Sequence, residues 1–147
     1  MIKIYTIGFT KKNAETFFGL LKTNKVLTLI DVRLNNSSQL SGFAKKDDLN
    51  FFLKELCSAN YTHLPVLAPT DDILKAYKHK EITWAIYEEK FLKLLTERKA
   101  ERLFSREQLI NSCFLCSEHE PHFCHRRLVV EYLNNNCDFS LQIKHLV

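Results

Sequence analysis

Glycine and proline are scarce in this chain, three of each in 147 residues. A disordered linker, a collagen-like repeat or an all-β sandwich with many turns would need far more of both. Long apolar runs are also missing, and none approaches the roughly 20 residues that span a bilayer as a helix. The first residues, Met1-Ile2-Lys3-Ile4-Tyr5, read as a strand and carry no signal-peptide pattern. These absences point to a cytoplasmic chain with no membrane contact, whose five cysteines are thiols and not a disulfide framework. Charge of one sign is lacking too. The net value is +4, and the basic pairs Lys11-Lys12, Lys45-Lys46 and Arg126-Arg127 are scattered. Such a balance permits an anionic small molecule or a nucleic acid as partner and demands neither. It leaves the oligomeric state open.

What is present is an alternation of strand-like and helix-like segments with no repeat and no break in composition, so residues 1–147 form one expected domain. Ile2 to Ile7 reads as a first strand ending at Gly8. Asn13 caps a helix with Ala14, Phe17, Phe18 and Leu21 on one face. Val26 to Val32 is a second strand, followed by a long polar loop from Arg33 to Lys46. A helix begins at Asp47 or Asp48, and Asn60 to Leu64 is a short third strand. Asp71 to Tyr77 reads as a short helix. Trp84, Tyr87, Phe91, Leu94 and Leu95 mark a longer one, and Ser105 to Leu109 a helical turn. A buried strand around Cys113, a helix after Cys124 and a last strand near Ser140 to Ile143 close the chain. This order predicts an α/β fold: a three-layer sandwich around a mostly parallel sheet, Rossmann-like or flavodoxin-like. In such sheets ligands bind beyond the carboxyl ends of the strands.

The densest chemistry lies in residues 110–127. Three cysteines, three histidines, two carboxylates and two arginines fall in a strand, loop and helix start. Cys124, His125 and Arg126 are expected at a helix N-terminus. Free backbone N–H groups and the helix dipole there favour an anion and lower a thiol's pKa. Cys124 is thus the candidate nucleophile, and Cys116 reads as a core thiol or a pocket lining. Glu118 is a candidate acid or base, or else a carboxylate accepting N–H bonds in a turn. Asp31 and Arg33 share a strand face. They either clamp a phosphate or form an ion pair that tethers the following loop. Tyr61 and His63 also share a face, with His63 a pocket base or a satisfied core histidine. Phe43, Lys45 and Lys46 either stack on a base and hold its phosphate or belong to a tethered loop with Phe43 in the core.

Zinc is the competing chemistry. Cys113, Cys116, Cys124, His119, His122 and His125 are all ligand types, and Cys113 and Cys116 form a C-x2-C. Those two flank Phe114-Leu115 inside a strand, where alternation points them to opposite faces. A zinc knuckle needs a tight turn there. No metal is therefore expected, and no motif names a cofactor.

Thr6-Ile7-Gly8-Phe9-Thr10, Ile30-Asp31-Val32-Arg33, the Phe43 loop, Tyr61-Thr62-His63-Leu64-Pro65 and the closing C-x-E…C-H-R of Cys116, Glu118, Cys124, His125 and Arg126 occur in order along the chain. Together they resemble the domain of unknown function 488 family. The resemblance implies a single α/β domain and names no activity. Members often carry His-Ser where Phe9-Thr10 stands, a proline after the D-V-R motif, and Leu-Gly-Gly where this chain has Leu67-Ala68-Pro69.

The expected site is an anion pocket built from Gly8, Thr10, Asp31, Arg33, Lys45, His63, Cys116, Glu118, Cys124, His125 and Arg126. Glu118, Cys124, His125 and Asp31 would supply the chemistry. The reaction class is hydrolysis or group transfer on a nucleotide-like or phosphorylated ligand. A non-catalytic nucleic-acid-binding module and a zinc-stabilised interaction domain are the alternatives.

Overall fold

The computed structural model describes residues 1–36, 42–118 and 121–147. Its five strands are β1 (Ile2–Gly8), β2 (Thr28–Asp31), β3 (Asn60–His63), β4 (Ser112–Cys116) and β5 (Leu141–Leu146). They form one sheet in the order β3-β2-β4-β1-β5, and every pairing is parallel. Helices α1 (Ala14–Thr23) and α2 (Lys46–Phe52) precede β2 and β3. Helices α3 (Asp71–Lys78), α4 (Trp84–Arg98) and α5 (Arg106–Leu109) precede β4, and α6 (His125–Asn136) links β4 to β5. The three-layer α/β sandwich expected from the sequence is the fold.

The three central strands β1, β2 and β4 bury both faces, so the core is two clusters divided by the sheet. Strand period two decides which residue goes where. On one side Tyr5, Ile7, Leu29, Cys113 and Leu115 meet Phe17, Phe18 and Leu21 of α1 and Leu49 of α2. On the other, Ile2, Ile4, Ile30, Phe114 and Cys116 meet Phe91 and Leu95 of α4 and Leu128, Val129 and Leu133 of α6. Cys113 and Cys116 thus lie on opposite faces, as the alternation requires.

Helix starts follow their capping residues. Asn13 accepts from Thr16 N, and Thr70 and Thr83 accept from Ile73 N and Ile86 N. Ser105 and Gln108 close a capping box at α5. Such caps are worth about 1 kcal/mol each. Past α2 the backbone winds into a π-helical turn, Leu53–Cys57, stopped by Ser58 in the left-handed region. Glycine scarcity has a backbone consequence. Lys11, Lys25, Ser58, Lys80, Lys99 and Asn111 hold positive φ, and no described glycine does. Among the described residues no helix is long and apolar enough to cross a membrane.

Candidate functional site

β4 sits between β1 and β2, which brings the strand ends of the three motifs together. Gly8 is in register with Cys116, and Asp31 with Leu115. The carboxyl rim therefore gathers the expected motifs, but the pleat divides them. Asp31 follows Leu29 onto the α1/α2 side, whereas Cys116 faces α4 and α6.

On the α1/α2 side Asp31 is fully buried and its carboxylate is saturated. It accepts from Arg33 Nε at 2.9 Å, Arg33 Nη2 at 2.7 Å and the Tyr61 hydroxyl at 2.6 Å. Arg33 Nη2 also donates to the Ala44 carbonyl, and its guanidinium lies over the Phe9 ring, 5.4 Å from the centroid. His63 Nε2 donates to the Arg33 carbonyl at 2.7 Å. This network ties the start of the long loop to its return, so the tethering reading of Asp31 and Arg33 describes what the side chains do. Phe9 supplies a ring face to Arg33. Burial and the hydrogen bond to Asp31 push the Tyr61 phenol up to about 12. Arg33 keeps one resource: its Nη1 is buried and has no hydrogen-bond partner among the described residues.

On the α4/α6 side Cys116, Cys124 and His125 converge. Their ligand atoms lie within 4.8 Å of one another and all three residues are buried. Cys116 Sγ is 3.6 Å from His125 Nδ1. His125 Nε2 is 2.7 Å from the Val32 carbonyl, which can only accept, so Nε2 carries the proton and Nδ1 faces the sulfurs. The Cys124 thiol donates to Cys116, and with His125 and Arg126 nearby this holds Cys116 well below the usual thiol range despite burial. Burial, and then the contact with Cys116, pushes Cys124 up. Burial works to lower the His125 pKa, but the Cys116 charge and contact outweigh it, so the pKa is raised. Of the two coupled sulfurs, Cys116 is the one whose ionisation these surroundings favour. Cys124 is the residue just before α6, and burial, ahead of its contact with Cys116, makes its thiol harder to ionise there.

Arg126 was expected at an anion. It is instead fully buried, donating from Nε to Thr6 Oγ1 at 3.3 Å and from Nη1 to the Glu118 carbonyl. It braces the loop after β4 against β1. Gly8 belongs to the same joint, since a Cβ there would overlap the Glu118 carbonyl and meet Arg126 Nη1 at 2.6 Å. Thr10 completes it, its N–H bonding the Ser117 carbonyl at 3.0 Å and its hydroxyl doing so at 2.5 Å. Lys45 lies just before α2, exposed and away from the cysteines, and Phe43 packs on Phe17 at 5.2 Å between centroids, in the core. His119 lies outside the described residues. β4 stops at Cys116, so Glu118 is on a loop, exposed, and shares no strand face with Cys116.

The trio forms part of the wall of a cleft of about 560 Å³. Trp84, Tyr77, Tyr87 and Phe123 make an aromatic wall, Glu118 borders it, and Lys75 and Lys78 bring cationic groups. Trp84 stacks on Tyr87 at 4.7 Å between centroids and meets Phe123 edge-on at 5.4 Å. A smaller hollow of about 260 Å³ adjoins the cleft, bordered by Arg33, Asn35, Ser117, Cys116 and His125. Sequence reasoning did not assign the aromatic wall to the site. Trp84 and Tyr87 show helical spacing, which reads as core. The one available signal was Phe123, an aromatic next to the C-H-R motif that stays 62% exposed.

No curated protein and no solved structure matches the chain. The family described as Domain of unknown function DUF488 matches residues 13–133. That span runs from the cap of α1 through most of α6 and contains both polar networks, and the chain belongs to the DUF488 family.

Proposed function

We propose that this protein is a small enzyme that carries out hydrolysis or group transfer on a nucleotide-like ligand. The observation that carries this reading is the buried Cys116–His125 pair in the wall of an aromatic-lined cleft. A concave site with stacked rings, a few convergent polar groups and perturbed pKa values is the usual signature of ligand chemistry. Trp84, Tyr77 and Phe123 suit the flat face of a base. The adjoining hollow, bordered by Arg33, suits the ligand's phosphate. Glu118 stands exposed at the border of the cleft, where a carboxylate can serve a bound ligand as acid or base. Asp31 and His63 act by positioning Arg33 and the loop that follows it.

A non-catalytic nucleic-acid module would present a continuous basic surface. Here Lys75 is paired with Asp71 at 2.9 Å, and Glu118 shares the cleft with the lysines, which favours a compact ligand. Melting curves test the reading. Nucleoside 5′-monophosphates should raise the melting temperature more than nucleosides, and inorganic phosphate should raise it least. At a hundred times Kd the gain is about 2.7 kcal/mol, several degrees for a chain of this size. Glu118→Gln should leave that shift intact. No shift with any of these compounds would refute the reading. Tight, steeply salt-dependent binding of oligonucleotides alone would replace it with the nucleic-acid reading.

A further inference from the structure

We propose that Cys116, Cys124 and His125 form a zinc site whose fourth coordination position opens into the aromatic cleft. The inference goes beyond the ligand reading above and holds whether or not the cleft takes a nucleotide. It differs from the zinc knuckle weighed from the sequence. That knuckle needed Cys113, which lies across the sheet among Phe17, Leu29 and Leu49.

Three observations carry it. The donors are of the right kind and already gathered, with two sulfurs and one ring nitrogen inside 4.8 Å. Their spacing is that of ligands around one ion. Tetrahedral zinc, with bonds of about 2.3 Å to sulfur and 2.0–2.1 Å to nitrogen, sets sulfur and nitrogen roughly 3.5 Å apart. Cys116 Sγ and His125 Nδ1 stand 3.6 Å apart. The histidine is also oriented as a ligand. Its Nε2–H is held by the Val32 carbonyl at 2.7 Å, which turns the Nδ1 lone pair to the sulfurs. A backbone carbonyl on the far nitrogen is the usual outer partner of a metal-bound imidazole.

The fold fixes all three donors from rigid elements. Cys116 ends β4, and Cys124 and His125 begin α6. Two thiolates neutralise a dication, and Arg126 Nη1, 3.9 Å from Cys124 Sγ, favours the deprotonated sulfur. Thiolate donors select zinc over magnesium or calcium. All three residues line the cleft, so a water molecule or a ligand atom can complete the tetrahedron. Among the described residues the cluster offers three ligands. Three protein ligands with an open position are the pattern of catalytic zinc, whereas structural zinc is closed by four. Zinc held here would lower the pKa of a bound water towards neutrality and supply hydroxide beside Glu118.

The test is metal content and cobalt substitution on the full chain, kept reduced with a phosphine and purified without a metal-affinity tag. After dialysis, elemental analysis should find about one zinc per chain. Cobalt(II) added to protein stripped of metal should give the thiolate-to-cobalt charge-transfer band and the intense visible bands of a tetrahedral site. Cys124→Ser should weaken or remove the charge-transfer band, and His125→Gln should reduce zinc affinity by at least tenfold, while Cys113→Ser should retain the metal. If Cys124→Ser fails to fold by circular dichroism, His125→Gln and the wild-type cobalt spectrum still decide. Failure of the wild type to hold zinc and to give a cobalt charge-transfer band would overturn the site. So would equal zinc retention by wild type and His125→Gln, or a Cys116–Cys124 disulfide that forms as readily with zinc present as without it.

Discussion

Gly8 shows how closely single atoms are fitted at this rim. Its missing side chain is the space taken by the Glu118 carbonyl, and Arg126 fills the ground behind it. Gly8→Ala should cost about 2 kcal/mol or more, because a backbone carbonyl and a buried guanidinium must both give way. Urea unfolding measures this, and a loss under 0.5 kcal/mol would mean the joint is looser than described. Tyr61 offers a second measurement at this scale. Its phenol is raised from 10 to about 12 in the fold, so the folded chain keeps a proton that the unfolded chain gives up between those values. Its stabilising contribution is whole below pH 10 and is lost as pH rises towards 12. Partial exposure reduces the effect to about 1–2 kcal/mol. The fall in stability across that window should be visibly shallower in Tyr61→Phe, and parallel pH curves for the two proteins would contradict the assignment. At this scale the sequence singled out residues 116, 118, 124 and 125 but not how they are arranged. That Cys116, Cys124 and His125 converge depends on contacts made through space, which leave no trace in spacing.

Elements were more legible than residues. The Asn13 cap and helical periodicity marked α1, periodicity marked α4 and α6, Asp71 to Tyr77 read as a short helix, and Cys113 and Cys116 were placed on opposite faces by counting along a strand. The same counting, applied across strands, would have separated Asp31 from Cys116. It was not decisive because the relative register of β2 and β4 is a tertiary fact. The π-helical turn at Leu53–Cys57 was likewise invisible, since its apolar spacing continues that of α2. Scarce glycine yields an element-scale prediction. Lys99 ends α4 at φ 52° and ψ 50°, exposed and left-handed. A side chain there costs roughly 1–2 kcal/mol, against which glycine's extra freedom when unfolded offsets part. Lys99→Gly should therefore stabilise the chain by about 0.5–1 kcal/mol and raise its melting temperature by about 1–3 °C. Calorimetry showing a lower melting temperature would mean that the Lys99 side chain contributes more than its strain removes.

The cleft is made by two distant segments folded onto one rim. The end of β4 and the start of α6 bring Cys116, Cys124 and His125, while α3 and the start of α4 bring the ring-lined wall. The first half was readable as the C-x-E…C-H-R pattern. The second was not, because Tyr77, Trp84 and Tyr87 have the spacing of an ordinary core face, and their meeting with Phe123 through Trp84 is a tertiary contact. Their position offers a direct probe. Trp84 is the one tryptophan of the chain, and it lines the cleft. Titrating the four nucleoside 5′-monophosphates against Trp84 fluorescence thus reports occupancy of the proposed site and of no other. The account predicts saturable quenching by at least one of the four, weakened about tenfold or more in Phe123→Ala, the loss of one stacking face. Unchanged fluorescence through millimolar concentrations of all four would contradict it.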